Sequence, residues 1–164
     1  DILISSGAKS VAEIRNECRH QEFDCIIIDY LQLVKADIRY QSRASEVGAV
    51  SKAIKALAME LNIPIIALSQ LNRVSEVRET KEPTMGELRE AGDIEQDASI
   101  IILLWNMDSE DVGKKGLKVD KNRQGELGKI VYRFDGGEMR FFETDEDVKS
   151  SGGFKRAPMK TPFD

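Results

Sequence analysis

Ten residues constrain this chain more than any others: Asp24–Leu33, reading Asp-Cys-Ile-Ile-Ile-Asp-Tyr-Leu-Gln-Leu. Three successive isoleucines do not alternate with polar residues. A strand apolar on both faces is one buried on both faces, as in the centre of a parallel sheet covered by helices. The run ends in Asp29, at the carboxyl edge where open α/β sheets bind ligands. In nucleotide hydrolases an acid there holds magnesium through the ion's water shell. The same residue can also simply start a turn or cap the next segment.

A chain of 164 residues is long enough for one domain with a real core. Its net charge of −5 argues against a broad basic face for nucleic acid, while leaving room for a few cations on a loop. No apolar run approaches a membrane span, and no signal-peptide pattern is present, so no membrane partner is expected. Cys18 and Cys25 lack metal-ligand spacing; they read as reduced thiols of a cytosol, Cys18 on a helix and Cys25 in the buried strand. His20 is the one histidine, which argues against a Ser-His-Asp triad or a histidine-based zinc site. The chain starts at Asp1 with residues that look like a strand, so it reads as part of a longer polypeptide.

Along the chain, Asp1–Ile4 is predicted as the end of a strand. Ser10 and Glu13 form a capping box, predicting a helix from Val11 to about Arg19 or His20 with Val11, Ile14 and Cys18 inward. Leu33–Ala44 is polar and reads as a loop on the ligand edge. Val47, Val50, Ile54, Leu57, Ala58 and Leu61 recur at helical spacing and predict a helix over Ser45–Leu61, with Asn62 at its end. Pro64–Ser69 is a second buried strand, closing on Ser69 and Gln70. Asn72–Pro83 is charged and reads as exposed. Thr84 and Glu87 suggest a short helix that Gly92 stops, followed by a polar segment, Asp93–Asp97. Ser99–Trp105 is a third buried strand. Leu117–Asp120, Lys129–Phe134 and Met139–Phe142 alternate, and Asp135-Gly136-Gly137-Glu138 is a hairpin turn. The pattern predicts an α/β fold: a mainly parallel twisted sheet flanked by helices, with an antiparallel edge at the C-terminal end. Residues 145–164 read as a flexible tail after an ordered region, 1–144.

If the three buried strands are parallel neighbours, Asp29, Ser69-Gln70 and Trp105-Asn106 converge on one edge as a phosphate-and-metal site. Gln70 could orient water or sense a terminal phosphate there, or only pair loop backbone. In Glu87-Leu88-Arg89-Glu90-Ala91-Gly92, Arg89 supplies a cation and Gly92 free backbone near a glycine, which suits a phosphate track; a solvated helix end is the plainer reading. In Lys121-Asn122-Arg123-Gln124-Gly125, two cations at i and i+2 of a strand would share a face and could clamp phosphate. They could equally guard an exposed strand edge against aggregation.

Asp-Tyr-Leu-Gln-Leu at Asp29–Leu33, Ala67-Leu68-Ser69-Gln70-Leu71-Asn72-Arg73, the string from Leu88 to Ala98 and Lys-x-Arg-x-Gly at Lys121–Gly125 together resemble the DnaB-type replicative helicases. The resemblance covers about Val11–Glu143 and implies a RecA-like ATPase fold. By it, Asp29 is the Walker B magnesium residue, acting through water, and Gln70 touches the γ-phosphate of ATP. Arg89, Glu90 and Gly92 become DNA-contacting residues of a central channel. Lys121 and Arg123 serve the ATP site of an adjacent subunit in a homo-hexameric ring on single-stranded DNA. A primase, a helicase loader and a bacterial or phage-infected cytoplasm, at replication forks on the nucleoid, are the implied partners and place. Arg43 and Glu46 fit the family's Arg-x-x-Glu, with a helix-start ion pair as the plainer role. The chain departs from the pattern at Ser5-Ser6, at Ser99, and at Glu82, Gly86 and Glu87, where Arg, Ser and Asp are usual. No Gly-x-x-x-x-Gly-Lys-Ser/Thr occurs in these residues, so the family's phosphate loop is expected upstream, and this stretch alone is not expected to hydrolyse ATP. A recombination or repair RecA-like ATPase, and a truncated regulator that binds helicase subunits, are the rival readings.

Overall fold

The computed structural model describes residues 1–38, 40–71, 82–107 and 110–144, without the side chains of 89–92. The chain divides into two compact units. One comprises Asp1–Val74 with Met85–Ala98, the other Ser75–Thr84 with Ser99–Asp164.

In the first unit, α1 spans Val11–Cys18. Both halves of the expected capping box are present: Ser10 Oγ accepts from Glu13 N, and Glu13 accepts from Ser10 N at 2.7 Å. Strand β1 is Ile26–Ile28 and β2 is Ile65–Ala67; they pair in parallel, Ile26 with Ile65 through Ile28 with Ala67. Between them α2 runs over Arg43–Leu61, two residues longer than its apolar spacing predicts, because Ser42 caps it through Ser45 N. It ends where foreseen, with Asn62 left-handed at φ 53°. Its buried side, including Val47, Val50, Ile54 and Leu57, packs with Val11, Ile28, Leu31 and Val34 into one core.

Several expectations fail here for identifiable reasons. Asp1–Ile4 forms no strand and is exposed, having no partner strand among the described residues. Cys25 precedes β1 and is exposed, although Cys18 lies on α1 as expected, at its last residue. Ile28 is buried, but Ile27 is 68% exposed, because no described element covers the second face of β1. The short helix expected after Thr84 is a 3₁₀ helix, Met85–Ala91, that ends just before Gly92, but Gly92 does not end the helical run: it opens α3, Gly92–Asp97, over the segment read only as polar.

The second unit is an antiparallel sheet in the order β3 (Ile100–Asn106), β4 (Lys114–Asn122), β5 (Gly128–Asp135), β6 (Arg140–Glu143). Among the described residues the third apolar strand, β3, pairs with β4, and antiparallel. Its run of apolar residues hid an alternation, with Ile101 and Leu103 buried while Ile100, Ile102 and Leu104 are exposed. Trp105 lies opposite Gly116, where any Cβ would fall 2.3 Å from the indole ring. The turn between β5 and β6 is the expected one: Asp135 Oδ1 accepts from Gly137 N at 2.8 Å and Glu138 N at 3.2 Å. Pro83, expected to be exposed, is fully buried. Arg39, residues 72–81 and the expected tail at 145–164 lie outside the described residues.

Candidate active site

Because β1 and β2 are parallel neighbours, their carboxyl ends lie side by side. The pairing continues beyond them: Leu68 N donates to Ile28 O at 3.0 Å, and Leu31 N donates to Leu68 O at 2.8 Å. Asp29 and Gln70, both exposed, thus leave adjacent strands on one edge. The Asp29–Tyr30 peptide is cis. A 3₁₀ turn, Leu31–Leu33, then buries Leu31 and brings the Gln32 side chain back to β2, where Gln32 Nε2 donates to Ser69 Oγ at 3.0 Å. Arg43, first residue of α2, donates to the Gln32 carbonyl and pairs with Glu46 Oε2 at 2.6 Å. The Arg43–Glu46 helix-start ion pair is therefore present, and Arg43 also braces the segment after Asp29. Ser69 is expected at this edge beside Gln70; the bond from Gln32 is not. Two polar residues just past adjacent strand ends were the signal that they tie the edge together.

Among the described residues no cluster of three or more His, Cys, Asp or Glu side chains could hold a metal. Magnesium keeps several waters and needs only one or two carboxylates beside substrate phosphates, so a lone Asp29 on this edge fits an ion held through water. Asn106 ends β3 in the antiparallel sheet and accepts from Lys115 Nζ at 2.6 Å.

Lys121 lies in β4 and is half-buried; Arg123 follows the strand and is exposed. A shared strand face does not place the two cations together, since Arg123 already belongs to the turn. That turn is built by Asn122. Its Oδ1 accepts from Gln124 N at 3.2 Å, its Nδ2 donates to Glu126 O at 3.3 Å, and a Cβ at Gly125 would lie 2.6 Å from Nδ2. Gly125 and Gly128 predict a tight loop beyond the two cations, and the Asn122 side chain is what closes it.

Farther along the same sheet, Glu82 Oε1 lies 2.5 Å from Lys129 Nζ and 3.2 Å from Lys118 Nζ, and Lys118 Nζ lies 2.6 Å from Asp120 Oδ1. Partial burial pushes the Glu82 carboxyl up, but the two ammonium groups outweigh it and hold the acid below its usual value. In Lys118 burial favours the neutral amine, yet Asp120 and Glu82 raise its pKa. Arg89, Glu90 and Gly92 occupy the junction of the 3₁₀ turn and α3; their side chains are outside what the structure describes.

A parallel strand pair edged by an acid and an amide, in a chain that continues into an antiparallel sheet, is the construction of RecA-like α/β ATPase domains. Two solved structures match it. One is "The Structure Of A DnaB-Like Replicative Helicase And Its Interactions With Primase" (TM-score 0.77, 31% identity, 87% of this chain and 37% of that one). The other is described as an ATPase domain (TM-score 0.76, 32% identity, 84% of this chain and 52% of that one). The family model described as DnaB-like helicase C terminal domain matches residues 1–143, and the chain belongs to that family. It is 42% identical over 141 residues to replicative DNA helicase DnaB of Leifsonia xyli subsp. xyli, covering 80% of this chain and 31% of that protein. It is 41% identical over 134 residues to the Geobacillus stearothermophilus protein of the same name, covering 76% and 30%. The chain thus spans about a third of the length of these relatives. No helix among the described residues is long and apolar enough to cross a membrane.

Proposed function

We propose that this chain is part of the motor of an ATP-driven replicative DNA helicase, a homo-hexameric ring that moves along single-stranded DNA in the bacterial or phage-infected cytoplasm, at replication forks on the nucleoid. The observation that carries this reading is the parallel register of β1 and β2, which leaves Asp29 and Gln70 exposed on one edge. ATP with Mg2+ supplies the phosphoryl group whose hydrolysis drives the motor. Asp29 orients the ion's water shell, Gln70 reads the terminal phosphate, and the Gln32–Ser69 bond holds their backbones in register. Lys121 and Arg123 serve the nucleotide of a neighbouring subunit, where a cation supplied in trans can be worth roughly 10³–10⁵ in rate. Arg89, Glu90 and Gly92 face the DNA backbone. The phosphate loop comes from residues outside this stretch. Primase and a helicase loader are the expected partners.

The reading is tested in the assembled full-length protein. Asp29→Ala and Arg123→Ala chains are each inactive in ATP turnover alone, and mixing them restores some intact sites. Full turnover by the Arg123→Ala ring, or no recovery on mixing, would overturn the shared site. A recombination-type RecA-like ATPase would require strand exchange without ring-dependent unwinding, and a truncated regulator would require a coding sequence with no phosphate loop upstream.

A further inference from the structure

Helix α2 carries a glycine, Gly48, buried in its second turn, where Ala would favour the helix by roughly 1 kcal/mol. The reason lies in α3. A Cβ at Gly48 would fall 2.7 Å from Asp93 Oδ2, so Asp93 occupies the space that a side chain at 48 would fill. One turn along α2, Lys52 Nζ donates to the same Asp93 Oδ2 at 2.9 Å. The ion pair is largely exposed, at 61% and 39%, and weak by itself. The carboxylate end of Asp93 also fills the niche that the missing side chain at Gly48 leaves. Asp93 immediately follows Gly92, at the point where the 3₁₀ turn becomes α3.

We propose that Gly48 and Lys52 form a socket for Asp93, and that Asp93 is a positioning residue fixing the trailing end of the Arg89–Gly92 segment that faces DNA. This rests on the DNA-facing reading of that segment. Holding the chain at Asp93 fixes the backbone track in advance of binding, so less order has to be imposed by the strand.

The tests use the polypeptide as the cell makes it, assembled as the motor. Gly48→Ala keeps the helix but evicts the Asp93 carboxylate. It should speed amide exchange over 85–97 by about five-fold or more while the centre of α2 stays protected. It should also raise the single-stranded oligonucleotide concentration that half-saturates ATPase stimulation by a similar factor, with turnover in the absence of DNA unchanged. Lys52→Met should produce about a two- to five-fold change in the same readouts, the worth of an exposed pair. Asp93→Ala should match Gly48→Ala, and the double variant should be no worse than Asp93→Ala, because the clash has lost its partner. Unchanged exchange over 85–97 in Gly48→Ala and Asp93→Ala, or losses that add in the double variant, would overturn the socket. Arg89→Ala checks the underlying reading separately: if the segment loosens in Gly48→Ala but Arg89→Ala leaves the oligonucleotide response intact, the socket stands and the DNA role falls.

Discussion

The side-chain amide of Gln32 donates to the hydroxyl of Ser69 at 3.0 Å, joining the turn after β1 to the residue beside Gln70. The bond is partly buried and spans 37 positions of sequence. It makes the register of two neighbouring strand ends a property of side chains as well as backbone. Gln32→Ala should cost about 1 kcal/mol, the usual net worth of such a bond, read as a lower denaturant midpoint with an unchanged slope. In the assembled motor the same variant should lower kcat for ATP more than it weakens DNA binding.

Asn122→Ala removes both side-chain bonds that close the turn at Arg123. A loss of about 1–2 kcal/mol in stability is expected. ATP turnover should fall although Lys121 and Arg123 are intact, whereas Asn122→Asp, which keeps the acceptor for Gln124 N, should retain more of it. Equal turnover in wild type and Asn122→Ala would show that the turn does not need its asparagine.

Gly116→Ala would drive a methyl group into the Trp105 ring. The sheet should be destabilised by about 1–3 kcal/mol, the range for overpacking. Thermal unfolding of Gly116→Ala beside Gly116→Ala/Trp105→Leu checks this, since the smaller partner should recover much of the loss.

Glu82 titrates below its usual value of 4.5 because Lys129 and Lys118 outweigh the burial that opposes its charge. A carboxylate whose folded pKa is depressed adds stability above its unfolded pKa, and that stability disappears as pH falls through the folded value. Wild type should therefore lose stability below about pH 4.5 more steeply than Glu82→Gln, which is expected to start out less stable at neutral pH. Denaturant midpoints at a series of pH values give the comparison; parallel curves would remove Glu82 from the acid response.

Local chemistry was legible in the residues themselves. Ser10 with Glu13 wrote the start of α1, Asn62 the end of α2, and Asp135 the hairpin, because caps and turns are settled by contacts within a few positions. The motif strings carried the family for the same reason: they are contiguous. Sequence spacing could not tell that β3 turns its alternate residues outward and pairs antiparallel with β4, since a run of apolar residues fits either kind of sheet. Nor could it show that Gly92 opens a helix, that Gly48 makes room for Asp93, or that Gln32 reaches Ser69. Those facts depend on residues far apart in the chain, and only the tertiary structure brings them within contact.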